Sequence, residues 1–214
     1  MGIYIFKREA LQKMLEEDER ADFGKHLIPS EIKKGKTYAF IYDGYWEDIG
    51  TIKSYYLANL ALTQNSSSGL KTYDESNPIY TRVNHLPGTK LKCAKVQDSV
   101  ICEGCILECD EITNSVIGLR SFLQSGTVIR NSIIMGNNFY LPPVHHIHKL
   151  PQKFVIGKNC LIEKAIIDEH VWIGDNVRLT NEKGYTSYDG DLVCVREGII
   201  IVSAGTRIPD NFAF

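Results

Sequence analysis

Between Ile117 and Ile134 the chain reads IGLRSFLQSGTVIRNSII, and an aliphatic residue returns at every sixth position: Ile117, Leu123 and Ile129. Four residues after each stands Ser121, Thr127 or Ile133, and Gly118 follows the first. The pattern returns at Ile156, Ile162, Ile167, Ile173 and Leu179, with one step of five. There Gly157 and Gly174 follow Ile156 and Ile173, and Cys160, Ile166 and Val177 take the fifth position. A helix repeats about every 3.6 residues and a two-faced strand about every 2, so neither keeps this register. A parallel β-helix does. Its aliphatic residue points inward from each flat rung, and glycine or another small residue eases the corner. A longer repeat lies on top: Ser99-Val100-Ile101, Ser115-Val116-Ile117 and Ser132-Ile133-Ile134 are 16 and 17 residues apart. Three hexapeptides make about one coil, so these are one edge returning. A sandwich of short strands is the alternative, but its strands hold no fixed register.

At 214 residues the chain makes one large or two small domains. A net charge of −2 leaves no basic footprint for nucleic acid. No apolar run reaches membrane-spanning length, so no membrane partner is expected. The opening Met1-Gly2-Ile3-Tyr4-Ile5-Phe6 lacks the basic region and apolar stretch of a signal peptide. It reads as a strand already in progress, which sets the expectation of a chain cut from a longer one. Of the six cysteines, Cys102, Cys105 and Cys109 have ligand-like spacing. They lie in the hexapeptide register, however, with no second Cys or His pair at finger spacing. Buried reduced thiols and a reducing compartment are therefore expected.

Upstream of the repeat the periodicity changes. Residues 3–6 read as a strand and 7–19 as a helix with Phe6, Ala10, Leu11, Met14 and Leu15 on one face. Asp22-Phe23-Gly24 opens a turn, and Pro29 is expected to stop any helix there. Residues 37–42 and 45–49 read as strands, and Thr51 caps a helix whose stripe is Ile52, Tyr55, Tyr56 and Leu60. The expected architecture is mainly β: an α/β portion over 1–63, a Ser/Asn-rich linker over 64–78, and the β-helix over 79–214. Pro142, Pro143 and Pro151 mark 138–154 as a loop leaving the solenoid, and a second break at 181–191 precedes a last coil near 198–208. The apolar run Ile199–Val202 reads as a last buried rung or a subunit contact, the rung being favoured.

The densest polar cluster is Gly44-Tyr45-Trp46-Glu47-Asp48-Ile49-Gly50-Thr51. Neighbouring carboxylates on a strand face opposite sides. Adjacent acids are commonly a solvated edge, but a carboxylate at a strand end can hold Mg²⁺, which binds one or two carboxylates plus substrate phosphates. His145, His146 and His148 also have ligand spacing, though a proline-bracketed loop favours plain solvation.

The run Tyr45–Thr51, with Tyr55-Tyr56-Leu57-Ala58-Asn59-Leu60 after it, closely resembles a stretch of the ADP-glucose pyrophosphorylases. Gly2–Phe6, Asp22-Phe23-Gly24, Ser76-Asn77-Pro78-Ile79-Tyr80-Thr81 and Leu86-Pro87 look like motifs of that family. So do Ser115-Val116-Ile117-Gly118, Arg120-Ser121, Ile134-Met135-Gly136, Ala165–Asp168 and Gly198-Ile199, with a flavour closer to the plant and cyanobacterial branch. The resemblance implies a left-handed solenoid and the making of ADP-glucose and pyrophosphate from ATP and glucose 1-phosphate. It implies Mg²⁺ as cofactor with Asp48 among its ligands, and Asp22, Phe23 and Trp46 in glucose 1-phosphate binding. A homo- or heterotetramer in cytoplasm or plastid stroma is further implied. The family's Gly-rich nucleotide loop, sugar-phosphate lysine and other metal-binding aspartate are not found in the sequence, so no catalytic residue is assigned. The expectation is of the C-terminal portion of such an enzyme, inactive alone and serving assembly and regulation.

Arg82, Arg120, Arg130, Arg178, Arg196 and Arg207 are scattered through the second half, and Arg82 and Arg196 are candidate neighbours of a phosphate effector. Three positions depart from the plant-type pattern. Glu169 and Ala204 stand where that branch carries lysines, and Asn84 where it carries an arginine. Two rivals remain. A hexapeptide-repeat acyltransferase would use a coil histidine and coenzyme A, leaving 1–63 unexplained. A regulatory subunit of the same family would be non-catalytic.

Overall fold

The computed structural model describes residues 2–20, 22–35, 37–64, 69–141 and 154–214. The chain divides into two compact units, Met1–Gly44 and Tyr45–Phe214.

In the first unit, helix α1 spans Arg8–Glu17 and buries Met14, as its apolar spacing predicts. Asp22 accepts a hydrogen bond from Lys25 N at 2.9 Å and so caps a wide turn, Phe23–Leu27, in which Leu27 N reaches back to Asp22 O. Pro29 does not stop a helix. It sits in the first turn of α2, Ile28–Lys33. The first-turn N–H groups of a helix have no internal partner, so proline's missing donor costs nothing there. Lys34 ties the two helices, reaching Glu17 at 3.1 Å and Glu31 at 2.6 Å. The expected strands at 3–6, 37–42 and 45–49 form no ladder among the described residues. Strand-like side chains do not make a strand until another backbone supplies donors and acceptors. Ile5 at 98% and Phe40 at 87% exposure show side chains patterned for burial without cover.

The second unit is the solenoid. Parallel rungs stack into three faces. The first holds Lys90–Leu91, Ile106–Leu107, Phe122–Leu123, Trp172–Ile173 and Arg207–Ile208, with Ile156 bridging Leu123 to Ile173. The second holds Lys95–Gln97, Glu111–Thr113, Val128–Arg130, Leu161–Glu163 and Arg178–Leu179. The third holds Val100–Ile101, Val116–Ile117, Ile133–Ile134, Ala165–Ile167 and Ile199–Val202. Ile199–Val202 is therefore a rung. It continues antiparallel into Cys194–Arg196 and Ser187–Asp189, a hairpin that closes the sheet. The six-residue register is the core: Leu107, Ile117, Leu123, Ile129, Ile162, Ile173 and Leu179 are fully buried. Each such side chain contributes about 1.5–3 kcal/mol by leaving water.

Serines at one corner form a ladder. Ser115 N donates to Ser99 Oγ, Ser132 N to Ser115 Oγ and Ala165 N to Ser132 Oγ, at 3.1–3.3 Å. Their hydroxyls donate to carbonyls two residues back, which explains the recurrence at 16 and 17 residues. Asparagines mark the corners as well. Asn114 and Asn131 adopt left-handed backbone, φ 45° and 46°, and Asn114 Nδ2 donates to Asn131 Oδ1 at 2.8 Å. Asn159, Asn176 and Asn211 make a second ladder. Asparagine tolerates this conformation better than other residues with a Cβ.

Ile133 and Ile166 depart from the expected pattern of small corner residues. The inward step is five residues, not six, at Ile129 to Ile134 and Ile162 to Ile167, so Ile133 and Ile166 face outward. They are covered by α3, Ile52–Ala61, whose Tyr56 and Leu60 pack on Ile133, Ile166 and Ile199. Tyr56 OH donates to Asn131 O at 2.6 Å, and burial pushes its phenol up to about 12. Thr63 Oγ1 donates to Asn114 Oδ1 at 2.9 Å.

Two cysteines correct the expectation of reduced thiols. Cys93 and Cys109 are disulfide-bonded, with Cα atoms 4.8 Å apart, because a coil of 16 residues stacks one on the other. Cys102, Cys105, Cys160 and Cys194 are free. Cys105 and Cys160 occupy equivalent corners, their thiols donating to Gly118 O and Gly174 O at 3.1 Å. No helix among the described residues is long and apolar enough to cross a membrane.

On the outer second face, Glu111 accepts from Arg130 at 2.7 Å, from Thr113 at 2.7 Å and from Lys95 at 3.1 Å. Arg130 first, then Thr113, hold its carboxyl down to about 2 from 4.5. A depressed folded pKa stabilises above the unfolded value, and that gain is lost as pH falls from about 4.5 towards 2. Glu111→Gln is expected to cost about 1 kcal/mol at pH 7, a surface-network value. Urea midpoints of the two proteins should converge as pH drops through this window. A gap unchanged from pH 7 to below the window would contradict the assignment.

Candidate functional site

The candidate residues fall in both units. Asp22 and Phe23 lie in the first. The Asp22 carboxylate already caps its turn, with Lys25 Nζ 3.9 Å away. Phe23 packs against Phe6, ring centroids 6.0 Å apart. Trp46 and Asp48 open the second unit, and Trp46 is 48% exposed.

Asp48 is positioned by the residues immediately after it. Its Oδ1 accepts a hydrogen bond from Gly50 N at 3.0 Å, an Asx turn that fixes the side chain against its own backbone. Thr51 and Ser54 then form a reciprocal capping box at the start of α3. Through Tyr56 and Leu60 that helix is bound to the solenoid. Asp48 thus stands just before a capped helix start and not, as expected, at the end of a strand. Among the described residues no group of three metal-ligating side chains comes together. Mg²⁺ keeps several waters and takes one or two carboxylates plus phosphate oxygens. An exposed carboxylate oriented as that of Asp48 is would fit as one ligand of such an ion.

The three departing positions separate into a pair and a single. Glu169 O accepts from Gly205 N at 3.1 Å, so Glu169 and Ala204 stand on stacked coils at one corner. Glu169 Oε2 accepts from Asn138 Nδ2 at 2.6 Å, and Ala204 N donates to Asp168 Oδ2 at 3.2 Å. Asn84 donates to Arg82 O at 3.2 Å in the segment before the first coil. Arg196 is committed within the terminal hairpin, donating to Asp189, Tyr188 O and Val195 O. The Asp189 carboxylate raises its guanidinium further. His170 lies against Phe139 at 4.6 Å and Phe154 at 4.8 Å, and its Nε2 accepts from Asn138 N. The histidines His145, His146 and His148 lie outside the described residues.

Residues 84–213 match the family model described as the GLGC left-handed parallel β-helix domain. The chain belongs to this GLGC β-helix family. Residues 1–65 match the nucleotidyl transferase model. The two matches, in this order, agree with the resemblance to ADP-glucose pyrophosphorylases and with a left-handed solenoid following nucleotidyltransferase sequence. Sequence reasoning passed over Tyr56 and Asn131 as a pair. Helical spacing marks Tyr56 as inward, but nothing in the sequence says what its hydroxyl will meet.

Proposed function

We propose that this GLGC-family chain is the C-terminal part of a glucose-1-phosphate adenylyltransferase, which forms ADP-glucose and pyrophosphate from ATP and glucose 1-phosphate in glycogen or starch synthesis. The observation that carries the reading is the oriented Asp48 carboxylate at the start of α3, set within an ordered series of family motifs. Uncovered apolar side chains such as Ile5 and Phe40 favour a chain that works with further protein around it. Mg²⁺, when bound, neutralises charge on the phosphates. Asp48 would supply one oxygen ligand to it, and the resemblance gives Asp22 and Phe23 in the first unit and Trp46 in the second a role towards the sugar phosphate. Regulation and tetramer assembly are assigned to the solenoid, in cytoplasm or plastid stroma. The acyltransferase alternative needs a free coil histidine as base, and on the described coils His170 has its Nε2 engaged and its ring stacked.

In the plant-type branch, 3-phosphoglycerate activates through basic residues, some of them on the solenoid. Here Glu169 places a carboxylate next to Ala204 at one corner, where two lysines would otherwise attract a phosphate. Each well-placed cationic hydrogen bond contributes about 1.5–3 kcal/mol. The intact enzyme is expected to turn over ATP and glucose 1-phosphate and to respond weakly or not at all to 3-phosphoglycerate. Glu169→Lys with Ala204→Lys should move it towards sensitivity. Initial rates at saturating Mg²⁺ test both points. No ADP-glucose formation would sink the functional reading. Many-fold activation of the unmodified enzyme at low effector would sink only the regulatory part.

A further inference from the structure

The first coil is the least packed part of the solenoid. Leu91 stacks in register on Leu107 and Val96 on Ile112, so both belong to the inward column. Leu107 and Ile112 are fully buried, yet Leu91 is 52% and Val96 39% exposed. With no coil beneath it, this rung gains little from apolar burial, the usual weakness of a solenoid end. Polar contacts hold it to the second coil, among them backbone bonds from Lys90 N, Lys92 N and Lys95 N to the carbonyls of Cys105, Leu107 and Asp110, the exposed Lys95–Glu111 pair and the Ser115 N bond to Ser99 Oγ. The other link is covalent: Cys93, midway along that coil, is bonded to Cys109. The other four cysteines are free thiols, so the one crosslink falls where packing is weakest.

We propose that the Cys93–Cys109 bond is a reducible clamp on the first coil, opened by an external dithiol of the small-molecule or protein kind. Cys109 is 2% exposed while Cys93 is only half-buried, so the attacking thiolate reaches Cys93 Sγ. A mixed disulfide forms there, and Cys109 leaves as a thiolate that takes up a proton. The second thiol of the reagent then displaces Cys93, which also ends as a thiol, and the reagent leaves as its own disulfide. Atoms and electrons balance: one protein disulfide is reduced and one dithiol oxidised. The neighbouring thiols do not substitute for the reagent, because burial pushes Cys102 and Cys105 up and keeps them protonated. Opening the clamp leaves the packing of the later coils intact and lets the first coil open by itself.

Hydrogen exchange on the full chain tests this, with and without dithiothreitol, alongside titration of free thiols after the reductant is removed and the chain unfolded in denaturant, since Cys105 and Cys160 are buried in the fold. Four reactive or alkylatable thiols are expected before reduction and six after it. On reduction, amides over 89–97 should lose about 100-fold in protection, the loss expected for releasing a crosslink of this loop length. Amides over 161–179 should not change. Cys93→Ser without reductant should reproduce the reduced pattern, and if that variant does not fold, the reductant experiment on the unmodified chain decides alone. Six free thiols before any reductant would overturn the proposal. So would unchanged protection over 89–97 once both thiols are free, or an equal loss in every coil.

Discussion

Gly118→Val is expected to cost the solenoid about 3 kcal/mol or more, because the residue lies where two coils meet backbone to backbone. A Cβ at Gly118 would stand 2.8 Å from the Ile134 oxygen and nearer still to the Met135 carbonyl. Neither is a flexible side-chain end that could swing away. Gly118 N also donates to Ile134 O at 2.6 Å, and its own carbonyl accepts from Ser121 Oγ at 2.8 Å and Cys105 Sγ at 3.1 Å. Moving the strand to admit a side chain therefore breaks several bonds at once. Gly205→Ala is the control. Its φ of 73° disfavours a side chain, but nothing stands within 4 Å, so about 1 kcal/mol is expected. Ile129→Ala, which leaves a void in the column, should cost about 2–5 kcal/mol. Denaturant midpoints with unchanged slopes give all three. A Gly118→Val midpoint no lower than that of Gly205→Ala would mean that the coils do not approach as closely as described.

Asp48→Asn is expected to lower adenylyl transfer in the intact enzyme by about 100-fold or more, judged against the 10–100-fold that loss of a metal site's outer partners usually costs. The amide keeps the Asx turn, since its oxygen still accepts from Gly50 N. The helix start, and with it α3 on the solenoid, should survive unchanged. If Asp48 ligates Mg²⁺ as proposed, what is lost is a negative charge on the ion, so the Mg²⁺ concentration for half-maximal rate should rise. Glu47→Gln, one residue away and outside the Asx turn that Asp48 makes with Gly50 N, should do far less. Equal and mild losses from both substitutions would refute the assignment of Asp48. A fall in thermal stability matching the fall in rate would mean that Asp48 is structural.

Some of this was written in the sequence because it depends on neighbours along the chain. The inward column, Ile117 to Leu179, was legible because each rung must bury an aliphatic residue whatever lies outside it. The serine recurrence was legible as a coil length, and the capping role of Thr51 as local chemistry. Other features depend on a second segment arriving. Ile133 and Ile166 have the composition of either face, and only the five-residue step and the docking of α3 decide that they lie beneath a helix. Cys93 and Cys109 read as two ordinary buried thiols until coil stacking puts their Cα atoms 4.8 Å apart. The segments at 3–6 and 37–42 have strand composition and no ladder among the described residues, since a ladder belongs to two backbones and composition to one. Local chemistry is encoded where it acts, whereas pairing across coils, helix docking and covalent crosslinks are set by the distance between residues that the chain itself keeps far apart.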